Sequence, residues 1–72
     1  MSFSLAEIQM VDDHITLGER HVLRQGELIV WLRERGHPTD LAEDLLDEFQ
    51  STLQQHHAHR DVMLRDAAKE RY

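Results

Sequence analysis

The sequence predicts an all-α fold, a two-helix antiparallel hairpin pairing into a four-helix bundle. Three observations carry this expectation. Two amphipathic stretches of nearly equal length fill almost the whole chain. One break, Gly36-His37-Pro38-Thr39, separates them. The apolar surface of the first stretch is wider than one facing helix can cover.

The first helix opens on Ser4 and Glu7, which have the Ser-x-x-Glu spacing of a capping box. In that motif the hydroxyl accepts from a free backbone N–H and the carboxylate reaches back to the cap. Phe3 and Ile8 occupy the positions of a hydrophobic staple. The helix closes with Arg33 and Arg35 in its last turn, where the helix dipole favours cations. Gly36 follows and is free to take the left-handed conformation that ends many helices. Pro38 cannot continue a helix and biases His37 away from helical angles. Thr39 is a good N-cap for the second helix, and Asp40, Glu43 and Asp44 load its first turns with negative charge. Asp40 with Glu43 is a rival capping box one residue later. The second helix has neither Gly nor Pro. The reading is one domain over residues 1–72, with helices at about 4–35 and 40–69 and a turn at 36–39. Helices of about 32 residues would be ~48 Å long. A short link between equal rods favours an antiparallel arrangement.

At 100° per residue, Ile8, Val11, Ile15, Val22, Ile29 and Leu32 form one stripe of the first helix, and Met10, Leu17, Leu28 and Trp31 form a neighbouring one. The second helix has a narrower face of Leu41, Ala42, Leu45, Leu46, Phe49, Leu53, Met63, Leu64 and Ala67. A lone hairpin would leave the second stripe of the first helix wet, and exposed apolar patches of that kind mark interfaces. A short chain also buries a modest core, and such folds lean on disulfides, metals or partner chains. With no cysteine, disulfides and thiolate zinc sites are excluded. The expectation is therefore a homodimer joined through Ile15, Leu17, Val22, Leu28 and Trp31. The rivals are a monomer in which the second helix bends or a third short helix forms near the C-terminus, and a different protein partner.

Histidines interrupt the apolar faces. His14, His21 and Gln25 project near the middle of the first face, and His56 and Arg60 near the middle of the second, with His59 at its margin. A hairpin turning near residue 37 sets His14 level with Arg60 and His59, and Gly18 level with His56. Three readings stand side by side. His14, His21, Gln25, His56 and Arg60 form a hydrogen-bonded polar layer that fixes register at some cost in stability. Or His14, His56 and His59 hold zinc or nickel through neutral imidazole. Or the cluster makes an interface respond to pH, since histidine charges between about pH 5 and 8.

Net charge is −6, with acids exceeding bases, which disfavours nucleic acid and anionic membrane surfaces. No apolar run approaches the roughly 20 residues that span a bilayer. The opening Met-Ser-Phe-Ser does not read as a signal peptide, so the expected setting is cytoplasmic. Cysteine nucleophiles, Gly-x-Ser-x-Gly and phosphate loops are all missing, so no enzyme activity and no cofactor are expected.

The run His14-Ile15, Gly18-Glu19-Arg20-His21-Val22, Arg24-Gln25, Gly36-His37, Thr39, Leu45-Leu46, Phe49, His56 and His59-Arg60-Asp61 resembles a group of small bacterial helical proteins without an assigned activity. The resemblance covers about residues 14 to 64. It implies a stand-alone helical hairpin and brings no activity, cofactor or partner. The function expected is a non-enzymatic interaction or regulatory module.

Overall fold

The computed structural model describes residues 3–69; the ends of the expected 1–72 domain, residues 1, 2 and 70–72, lie outside them. Two helices run antiparallel, α1 (Leu5–Glu34) and α2 (Asp40–Lys69). Together they make an elongated rod with principal extents of 58 × 15 × 12 Å. Among the described residues no helix is long and apolar enough to cross a membrane.

Local chemistry sets the helix ends. Both arms of the capping box form at 3.2 Å: the Glu7 N–H donates to Ser4 Oγ, and the Ser4 N–H donates to Glu7 Oε2. Phe3 and Ile8 both pack onto the same apolar cluster. At the other end Gly36 takes φ +71°. That backbone lets the His37 N–H reach the Leu32 carbonyl at 2.9 Å and the Gly36 N–H reach the Arg33 carbonyl at 3.0 Å. This pair of bonds is a Schellman motif, and it satisfies carbonyls that the helix end would leave free. In α2 the Thr39 carbonyl closes the first turn by accepting from the Glu43 N–H at 2.8 Å. The Glu43 carboxylate does not serve the rival capping box. It crosses the hairpin and accepts from Arg33 Nη2 at 2.7 Å.

The core is small. Val11, Ile15 and Met63 are buried together, with Phe3, Ile8 and Leu53 packed around them. Met63, only 1% exposed, is the most enclosed side chain. Ile29 and Gln25 are buried nearer the turn. The Gln25 amide donates to the Ala42 carbonyl at 2.8 Å, so this buried polar group is satisfied. Arg60 Nε donates to Asp12 Oδ1 across the open half of the hairpin.

The register differs from the sequence expectation by one helical turn. His14 faces His56, and Gly18 faces Leu53. Gly18 explains the choice. A Cβ built there would lie 3.1 Å from Leu53 Cδ1, so the missing side chain admits the leucine. The face expected for α2 is also too wide: Leu41 is 85% exposed, and Leu45 and Leu64 are exposed too.

A candidate site in the histidine-lined cleft

On one flank of the seam the helices leave a cleft of about 240 Å³, lined by His14, Leu17, Gly18, His21, Phe49, Thr52 and His56. Helical spacing gathers these residues. His14, Leu17, Gly18 and His21 stand at i, i+3, i+4 and i+7 on α1, and Phe49, Thr52 and His56 at i, i+3 and i+7 on α2. The cleft falls near the mid-length of both helices. Its floor is apolar, and none of its lining residues carries a carboxylate, an amine or a guanidinium.

The imidazoles are arranged in pairs. The His14 and His56 rings stand 5.1 Å apart between centroids, tilted by 50°. His21 lies against the Phe49 ring at 5.2 Å. His59 is elsewhere. Its ring meets Phe3 edge-on at 5.8 Å, near the open end. The expected His14, His56 and His59 triad is therefore not assembled, and no group of three or more potential ligands forms among the described residues. The reason is rotational. In a helix, a residue three positions on from His56 turns by about 60° relative to it, enough to reach a different neighbour.

The expected polar layer also divides. His14, His21 and His56 share the cleft. Gln25 is buried nearer the turn, bonded to Ala42, and Arg60 is bound to Asp12. These are two separate cross-links on either side of the histidines.

The interface set divides in the same way. Ile15 is 7% exposed and belongs to the core within one hairpin, so it has little surface left for a partner. Its seven-residue spacing to Val22 concealed a difference that only the second helix reveals. Val22 lines a cleft on the opposite flank with Leu23, Gly26, Glu27, Val30, Leu46 and Gln50. Leu17, Leu28 and Trp31 remain 50%, 43% and 46% exposed. Helical spacing sets Met10, Leu17, Leu28 and Trp31 on the histidine side of α1, and Leu45 on the same side of α2 as Phe49 and His56. Leu23 and Val30 on the other flank are large exposed side chains that the two-stripe reading of the first helix left out. A third stripe, counted from Leu23 to Val30, was the available signal.

Trp31 is partly clothed by its own turn. The Arg35 guanidinium lies 4.1 Å from the indole, and the His37 ring stacks at 6.2 Å with an 18° interplanar angle. Both contacts lie at the turn end of the flank.

No protein-family model, curated protein or solved structure matches this chain. The resemblance read over residues 14 to 64 therefore assigns it no activity, and the functional reading rests on geometry.

Proposed function

We propose that this chain is a non-catalytic self-association module, in which two hairpins close their histidine-lined flanks into a four-helix bundle. Leu17, Leu28 and Trp31 of α1 and Leu45 and Phe49 of α2 supply the apolar contacts. The surplus of surface carries this reading. A compact folded chain of this mass exposes about 4,700 Å². This hairpin exposes 5820 Å². The surplus, roughly 1,100 Å² per chain, accompanies the elongated 58 × 15 × 12 Å shape, and on the histidine flank it includes Leu17, Leu28 and Trp31 at 50%, 43% and 46% exposure. A second copy is the simplest cover, since two-fold dimers are the commonest assemblies.

Charge favours the histidine flank over the other. Closing a flank against a second copy takes the side chains that line its cleft out of water. The opposite cleft includes Glu27, so closing it would desolvate a carboxylate. The histidine cleft holds no formal charge while its imidazoles are neutral. A chain of net charge −6 also repels its copy, so the apolar contact must outweigh that, and moderate salt should strengthen the dimer.

Sedimentation equilibrium at micromolar concentration tests the proposal. The expected mass is twice that of the chain. Leu17→Asp should yield a monomer, and Leu23→Asp on the far flank should leave the dimer intact. A monodisperse wild-type monomer, or equal disruption by both variants, overturns the reading. Ile15→Asp is unsuitable, because Ile15 supports the hairpin itself.

A further inference from the structure

We infer that His14 and His56 are half of a transition-metal site completed by the second copy, with two imidazoles from each hairpin around one ion on the dimer axis. The inference rests on the self-association reading and deepens it. The spacing of the pair is the first support. On a tetrahedral ion with metal–nitrogen bonds of about 2.0–2.1 Å, two imidazole ring centres lie roughly 5 Å apart. His14 and His56 stand at 5.1 Å. Both line the same cleft, one from each helix.

The position of the pair is the second support. The cleft sits near the mid-length of the hairpin. A two-fold axis drawn through it overlaps the two molecules along most of their length and brings the pair against its copy. His21 lies against the Phe49 ring, and His14 and His56 are the two imidazoles that meet each other across the helices.

The surroundings are the third. Closing the flank would bury imidazoles in a cleft whose other polar side chain is the Thr52 hydroxyl. Buried polar groups require partners, and a cleft without carboxylates gives these imidazoles few. A bound ion would occupy one nitrogen on each of the four rings, leaving the second nitrogen of each to water at the cleft edge or a backbone carbonyl. Four neutral nitrogens suit zinc, nickel or copper, and the absence of carboxylates among the lining residues disfavours magnesium and calcium. The net charge of −6 on each chain favours a cation in the dimer without placing an anion in the site.

Native mass spectrometry of the full chain, loaded with zinc chloride at about pH 7.5 where imidazole acts as a ligand, is the test. The expected species is a dimer with one zinc. Zinc occupancy should fall from one to near zero at equimolar metal in His14→Ala and in His56→Gln, and stay at one in His57→Ala, which alters an exposed histidine outside the cleft. Circular dichroism of each variant checks that it is folded, and His14→Gln replaces His14→Ala if that variant is not. A wild-type dimer that takes up no zinc overturns the metal site and leaves the self-association reading standing. Zinc held by a monomer, or retained at full occupancy in both histidine variants, overturns the shared site. A chain that stays monomeric with and without zinc overturns both.

Discussion

The two ends of the hairpin are held by different physics. At the turn end the chain itself joins the helices, and loop closure over a few residues costs little entropy. The contacts there are mostly directional: the Gly36 backbone motif, the Arg33–Glu43 pair, and Trp31 between Arg35 and His37. At the open end no covalent link opposes splaying. There Val11, Ile15 and Met63 form the buried cluster, with Phe3, Ile8 and Leu53 against it and the Arg60–Asp12 pair nearby. The comparison teaches that apolar burial is concentrated where chain connectivity gives no help.

Three substitutions would break or sharpen this contrast, each measured by urea unfolding at one fixed protein concentration so that association does not shift the midpoint. Met63→Ala should have the largest effect. Removing a fully enclosed methionine forfeits its burial and leaves a cavity, at about 2–5 kcal/mol. Gly36→Ala should come next. No atom lies within 4 Å of the added Cβ, so the cost is the left-handed backbone alone, about 1–2 kcal/mol. Arg33→Ala should be smallest. Its ion pair with Glu43 is well exposed, and such pairs contribute about 0–1 kcal/mol. If Gly36→Ala proved costlier than Met63→Ala, the turn rather than the open-end cluster would dominate stability, and the contrast would be reversed.

The flanks add a second lesson. Leu17 and Ile15 are two residues apart, and both read as apolar positions of the first helix. One lies half exposed beside the histidine cleft, and the other is sealed in the core. Helical periodicity tells that both belong to a broad apolar surface. It does not tell which part the second helix covers, because the seam is narrower than the surface. The same holds for the histidines. Their approach to mid-length was legible from spacing, but the pairing of His14 with His56 and the departure of His59 to Phe3 were not.

The sequence by itself determined the helices and the places where they stop. Ser4, Glu7 and Gly36 act on backbone groups within a few residues, so their effects are written locally. It also determined the excess of apolar side chains on the first helix. Only the tertiary structure decided the register, the core and the members of the cleft. A helical pattern looks nearly the same after sliding by one turn, so periodicity alone cannot choose among neighbouring registers. The choice depends on close packing between distant residues, here the space that Gly18 leaves for Leu53.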